Sequence, residues 1–243
     1  ASLGYEPPKY AHLATIQKEE DGKKRKISKR KDPEANVLYY TEKGIPVKAV
    51  GLYLMTLLNS NFEEWYLENP NKDINEFNLE FSKMSTSGAL FDMEKLLNIS
   101  KNYLSTLSAL EVYQNTLEWA KEYDKEFADL LVREKDVAIQ TLNIERESEK
   151  PRKDFAMYSE VKASIWYMFK ENFESVSYDF QKITDLDEIK HILQVYLDKY
   201  YDINDDNEEW FNKVKLLCDE LGYASNMKEY KKNPENYKGN VAD

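Results

Sequence analysis

The sequence predicts a mainly α protein, and three observations carry that expectation. Glycine and proline are scarce, apolar residues recur at helical spacing, and capping residues stand just ahead of most of those stripes. Glycine and proline together make 14 of 243 residues, about 6%, where average usage gives roughly 12%. A sandwich or barrel needs more tight turns than so few punctuators supply.

The elements follow in order. Residues 10–16 form a short apolar run that suits an edge strand or extended segment, and Asp21-Gly22 marks a turn. Pro33 keeps any helix from starting before about Asp32. Pro46 opens the stripe Val47, Val50, Leu54, Leu57, Leu58, which stops at Asn59-Ser60-Asn61. Asp73 with Glu76 reads as a capping box for a helix to Met84, broken by Ser85-Thr86-Ser87-Gly88. Asp92 precedes Met93, Leu96 and Leu97, and Ser108 precedes Leu110, Tyr113, Leu117 and Ala120. Asp124 precedes one long stripe from Phe127 to Leu142. Lys150-Pro151-Arg152 reads as a joint, followed by helices over 155–173, 185–201 and 207–221. The last twenty residues show no comparable stripe, and no repeat of fixed period is visible.

Composition narrows the function classes. A hydrophobic content of 42% suffices for real cores. The longest uncharged stretch, Ala49 to Phe62, is 14 residues, short of the ~20 a bilayer span requires. No membrane partner is expected. Cys218 is the one cysteine, so neither an intrachain disulfide nor a cysteine zinc cluster is available, and a reducing cytoplasm is the expected location. Cys218 sits on the stripe Trp210, Phe211, Val214, Leu217, Leu221, where a core thiol is expected. The 32 aromatics are expected mainly in cores, with Tyr200-Tyr201 packed. His191, between Ile189 and Ile192, reads as a residue at a helix edge, with no zinc-spaced partner. The acids Asp205, Asp206, Glu208 and Glu209 suit a helix N-terminus favoured by the macrodipole.

Charge is uneven. Residues 1–50 carry 11 basic against 7 acidic side chains, while residues 51–243 carry 23 against 38. Within the first part, Lys23 to Lys31 holds seven cations in nine residues. Packing does not account for such a run, because like charges repel unless solvent or an anion screens them. Lys26-Ile27-Ser28-Lys29-Arg30 sets two lysines three apart with a hydroxyl between them, a pattern that can converge on a polyphosphate. An ammonium about 4 Å from a phosphate charge gains ~1 kcal/mol in water and ~4 at an effective dielectric near 20, so enclosure under a ligand sets its value. Taken alone, the run also suits a solvated loop, a localisation signal or a nonspecific nucleic-acid patch.

Lys26-Ile27-Ser28-Lys29-Arg30-Lys31 resembles the KMSKS signature of class I aminoacyl-tRNA synthetases in its glutamyl variant. The flanks agree with the bacterial-type glutamyl-tRNA synthetase family. Residues 4–13 resemble the stretch ahead of the loop, Tyr40 to Ala49 the stretch after it, and Phe91-Asp92-Met93-Glu94-Lys95-Leu96 the family's stem-contact segment. This resemblance implies a mobile loop that binds ATP, with Mg2+, and stabilises attack of glutamate's carboxylate on the α-phosphate. Lys29 matches the signature's second lysine, Lys26 its first and Ser28 its serine. Ile27 replaces the methionine and Arg30 the final serine, changes common in the glutamyl branch.

The resemblance further implies a class I remnant, the loop and the stem-contact region over 1–107. An α-helical anticodon-binding cage would follow, in subdomains over 108–185 and 186–243. Lys150, Arg152 and Lys153 form the one compact basic knot beyond the first part and are the candidate RNA contacts, with a solvated linker as the alternative. Neither His12 nor His191 has the neighbours of the family's HIGH signature, and the chain begins without methionine and stops short of the family's last helices. The expectation is a C-terminal piece of a glutamate–tRNA ligase, inactive alone, with glutamate, ATP and tRNA(Glu) as the parent's partners and a monomeric state. A class I lysyl enzyme and a noncatalytic helical RNA-binding module are the alternatives.

Overall fold

The computed structural model describes residues 4–5, 10, 12–70, 72–177, 180 and 182–242. Among them are twelve α-helices and one two-stranded sheet, the mainly α architecture the sequence predicts. No helix among the described residues is long and apolar enough to cross a membrane. The chain divides into two compact units, Ala1–Ser175 and Val176–Asp243. Most of the motif at residues 4–13, including Pro7-Pro8, lies outside the described residues.

In the first unit, residues 12–16 run irregularly into β1 (Gln17–Glu20), which pairs antiparallel with β2 (Lys23–Lys26). Asp21 and Gly22 both have positive φ, 52° and 72°, the geometry a two-residue hairpin needs to match strand twist. The segment after Gly88 runs beside β1: Gln17 N–H donates to the Ala89 carbonyl and Phe91 N–H to the Gln17 carbonyl. A Cβ on Gly88 would fall 2.4 Å from the Thr15 carbonyl oxygen, so only glycine permits that approach.

α1 (Val37–Lys43) starts at an Asn36 cap and ends at Gly44, whose φ of 75° is left-handed. α2 (Val47–Leu58) follows Pro46 and stops at Asn59, as the spacing predicts. α3 (Phe62–Glu68) is a helix that the sequence reading did not assign. Phe62 is fully buried there, stacked on Tyr66 and edge-on to Phe77 at 5.1 Å.

The helix expected over 73–84 does not form. Asp73 and Glu76 make their capping box, yet it serves one 3-10 turn, Ile74–Glu76, and a second such turn, Phe81–Lys83, follows. Phe77 is buried while Phe81 is 71% exposed, so there is no continuous apolar face for a helix to bury. Instead the Asn59 amide donates to the Glu80 carbonyl and Ser60 N–H to the Lys83 carbonyl, holding the segment against the end of α2.

α4 (Met93–Thr106) and α5 (Ala109–Tyr123) begin at the predicted caps, Asp92 and Ser108. The stripe expected as one helix from Asp124 to Leu142 is two, α6 (Lys125–Arg133) and α7 (Lys135–Asn143), with a break at Glu134. The Tyr113 hydroxyl donates to the Leu131 carbonyl, an acceptor that an unbroken helix would use internally. The bend lets Leu131 and Ala138 both bury completely against α5. The span 155–173 also divides, into α8 (Tyr158–Ile165), a 3-10 turn and α9 (Lys170–Ser175). Phe155 and Ala156 are buried ahead of α8, and Tyr158 N–H donates to the Gly44 carbonyl. These links join α8 to the end of α1 within one unit.

Asp124 shows how a cap and an ion pair combine. Its carboxylate accepts from Phe127 N–H at 3.0 Å and from the Lys162 ammonium at 3.0 Å. Burial disfavours the charge, but the Phe127 amide and Lys162 outweigh it, so the carboxyl sits below its ordinary value. A depressed carboxyl contributes stability above its unfolded pKa and loses it as pH falls through the folded one. Asp124→Ala is therefore expected to cost about 1 kcal/mol at neutral pH, with the deficit fading below about pH 4 in denaturant titrations.

The second unit comprises α10 (Leu186–Val195), continued by a π-helical turn over Tyr196–Tyr200, α11 (Asn207–Leu221) and α12 (Met227–Lys232). The acids before α11 act as expected, with Asp206 and Glu209 forming a capping box. The tail, read as lacking a stripe, nonetheless contains α12 and a bridge between Ala224 and Asn240. Cys218 is half-buried, not a core thiol; it lines an apolar groove of about 510 Å³, and burial pushes its thiol up. His191 is exposed, as an edge residue should be. Tyr200 donates to the Glu220 carboxylate, while Tyr201 is half exposed, so that pair is not packed as expected. Of the aromatics, Tyr53, Phe62, Phe77, Tyr113, Phe127, Phe155, Phe169 and Tyr223 are buried as expected, while Tyr123, Tyr167, Phe173, Trp210 and Phe211 are exposed.

Candidate polyphosphate-binding cleft

The hairpin determines what the cation run can do. Strand alternation puts Arg25 on one face and Lys24 and Lys26 on the other. Cross-strand pairing sets Arg25 opposite Lys18, a like-charge pair that acids must offset. They do: the Arg25 guanidinium forks onto Asp32 at 2.6 and 2.7 Å and reaches Glu20 at 2.6 Å, while Lys18 pairs with Glu34 and lies 3.7 Å from Asp32. Arg25 is therefore held by ion pairs inside the fold, against the expectation that packing does not account for the run. Asp32 is 2% exposed, and the Arg25 guanidinium and the Ser28 amide hold its carboxyl well below the usual range.

β2 ends at Lys26, and the chain turns at once. Ile27 N–H donates to the Ile16 carbonyl, and the Ser28 carbonyl accepts from Lys31 and Asp32 N–H groups at 3.0 and 2.8 Å. Ser28 N–H in turn donates to the Asp32 carboxylate at 2.8 Å. Residues 28–32 thus close a tight turn, with Lys29, Arg30 and Lys31 on its exposed outer side.

Lys26, Ser28 and Lys29 line one lip of a cleft of about 730 Å³. Its other wall is apolar, built from Val37 and Tyr40 of α1, Val47, Val50 and Leu54 of α2, and Phe91. Val37 and Val47 are 76% and 78% exposed, so this wall is open to a ligand or covering segment. The Tyr40 hydroxyl donates to the Glu34 carbonyl at 2.5 Å, and burial pushes its pKa up to about 12, so the phenol keeps its proton and its place. Two mobile ammonium groups and a hydroxyl beside an apolar wall suit a ligand with a polyanionic tail and a flat, poorly solvated body.

Of the residues expected at the site, Arg30 is not among those lining the cleft; its N–H reaches the Ser28 hydroxyl at 3.4 Å. Lys150, Arg152 and Lys153 are exposed on the loop between α7 and α8, where Arg152 pairs with Asp154 at 3.1 Å. The sequence reading missed Asp32 and the structural use of Arg25. A signal existed: Asp32 is the acid that ends a run of cations, and alternation after Asp21-Gly22 separates Arg25 from its neighbours. Among the described residues, no group of three His, Cys, Asp or Glu side chains could hold a metal ion.

No protein-family model matches the chain. Individual relatives do. A glutamate–tRNA ligase of Acetivibrio thermocellus is 49% identical over 242 residues, which is 100% of this chain and 44% of that protein. One from Clostridium perfringens is 47% identical over 244 residues, 99% of this chain and 44% of the relative. A more distant one, from Sorangium cellulosum, is 37% identical over 257 residues, 100% of this chain and 45% of the relative. The chain thus spans less than half the length of the curated relatives it matches, while the match runs through both units and not the loop alone. By sequence, this mainly helical chain is similar along its whole length to less than half of each of these glutamate–tRNA ligases.

Proposed function

We propose that the chain is part of an enzyme that activates glutamate with ATP and transfers it to tRNA, and that the cleft beside residues 26–29 grips the ATP phosphates. The single observation that carries this reading is that Lys26, Ser28 and Lys29 line one cleft in a chain related along its whole length to glutamate–tRNA ligases. In that reaction a glutamate carboxylate oxygen bonds to the α-phosphorus, the bond to the bridging oxygen breaks, and pyrophosphate leaves with the electron pair. Negative charge grows on the leaving group as the bond breaks. Ammonium groups fixed nearby stabilise that state more than the ground state. Lys29 and Lys26 take this role, Ser28 adds a hydroxyl contact to a phosphate oxygen, and Arg30 contributes charge from outside the lip. Mg2+ accompanying ATP would add charge neutralisation at the phosphates, and among the described residues no group of three His, Cys, Asp or Glu side chains would hold it.

On the same reading the helices from α5 onward serve tRNA recognition. Lys150, Arg152 and Lys153 offer phosphate contacts, and exposed aromatics such as Tyr123 and Trp210 offer faces to unpaired bases. The enzyme acts in the cytoplasm as a monomer. The test is glutamate-dependent ATP–pyrophosphate exchange, measured on this chain alone and on a protein that joins it to the remaining part its relatives possess. Exchange is expected only from the joined protein. Failure there with glutamate, but success with lysine, would transfer the assignment to the lysyl branch; failure with every amino acid would leave a noncatalytic RNA-binding module.

A further inference from the structure

We propose that Asp32 is the positioning residue of this cleft, holding Lys26 and Lys29 at the lip through Arg25 and Ser28. The inference rests on the polyphosphate reading of the cleft and adds to it a residue outside the signature.

A carboxylate that merely softened the repulsion among seven cations could lie at the surface and turn freely. Asp32 does neither. It is 2% exposed, and both its oxygens are committed to directed bonds: one accepts from the Ser28 N–H and one arm of the Arg25 fork, the other from the second arm. Its own N–H donates to the Ser28 carbonyl, so residue 32 holds Ser28 at both its N–H and its C=O. Lys29 follows directly in that closed turn. Arg25 precedes Lys26 on β2, so the same carboxylate also fixes the strand end that carries the first lysine. Asp32 thus bonds the residue next to each lysine, the Arg25 side chain ahead of Lys26 and the Ser28 backbone ahead of Lys29.

The two accounts of Asp32 predict opposite signs. If it acts only as a nearby negative charge, removing it strengthens the attraction of the run for an anion. If it positions the lysines, removing it weakens anion binding despite the gain in net positive charge.

The measurement is calorimetric titration of the 243-residue chain with inorganic tripolyphosphate at low salt, paired with amide exchange at Ser28 and Lys31 by NMR. Asp32→Asn, near-identical in shape, is expected to bind about tenfold more weakly, roughly the loss of one well-placed charge-assisted contact to the anion. Ser28 and Lys31 amides, which the turn bonds, should exchange faster, with helical circular dichroism and the melting of α4 to α8 unchanged. Equal or tighter binding by D32N overturns the proposal. Should D32N not fold, Arg25→Lys, which keeps the charge and loses the fork, carries the same test with the same sign. A wild-type chain that fails to bind tripolyphosphate defeats the polyphosphate reading instead. Amide exchange then still decides the positioning role, and unchanged protection of Ser28 and Lys31 in D32N overturns it.

Discussion

Replacing Lys29 by alanine, in a ligase that carries this chain together with the rest of its relatives' length, is expected to slow glutamate activation about a hundredfold, since loss of one donor aimed at developing charge costs ~3 kcal/mol. The size follows from where the amine stands. Lys29 extends from a turn that backbone bonds close, at the lip of a cleft whose far wall is apolar. An ammonium there gains most when ligand and protein together exclude water, because the attraction rises severalfold as the effective dielectric falls. The loss should appear in kcat more than in the KM for ATP, because the charge Lys29 meets is larger in the transition state than in bound substrate. Ser28→Ala removes a neutral contact and is expected to cost only about 1 kcal/mol. Lys29→Arg keeps the charge, yet its planar fork does not reproduce a compact ammonium, so only partial recovery is expected. Full turnover by the alanine variant in single-turnover exchange would remove Lys29 from the chemistry.

The cleft was half legible in the sequence. The signature lysines and serine stand out because their spacing and charge are visible without a fold. The partner wall is invisible from spacing: Val37, Val47 and Phe91 come together only because Gly88 lets the segment to Phe91 run beside β1 while α1 and α2 turn at Gly44. Charge counting does not separate Arg25 from its neighbours, because it ignores strand alternation. Helix starts were readable at Asp92, Ser108 and Asp206, where a cap precedes a stripe that the core then buries, since a cap acts within four residues.

Helix continuity was not readable, because what interrupts a helix is often distant in sequence. The break at Glu134 answers to Tyr113 on α5, and the failed helix after Asp73 answers to Asn59 and Ser60 at the end of α2. The missed α3 is a related case. Its amphipathic signal is a single turn or two, and Phe62, Trp65 and Tyr66 gain their order from Phe77, outside the window that periodicity samples. Local chemistry thus announces where elements begin, and tertiary partners decide where they end.

Phe127→Ala is expected to be the most damaging single truncation in the first unit, at about 3–5 kcal/mol. Phe127 is fully buried on α6, surrounded by the largest core cluster, which draws on α4 through α8 and includes Leu104, Val112, Leu131, Phe155 and Val161. Its backbone N–H is the group that Asp124 caps, and the Lys162 ammonium that bridges Asp124 lies 5.7 Å above its ring. Removing the ring therefore opens a cavity and also takes away the face against which Lys162 is held. At ~2–4 °C per kcal/mol for a unit of this size, the melting transition should fall by about 6–20 °C. Phe127→Leu, which keeps most of the volume, should cost less than half as much. Phe81→Ala, at a ring 71% exposed, should change stability by no more than about 0.5 kcal/mol. If Phe127→Ala and Phe81→Ala melt together, the cluster around α6 is not the core that organises this unit, and the helices after α5 owe their order to something other than their shared apolar interior.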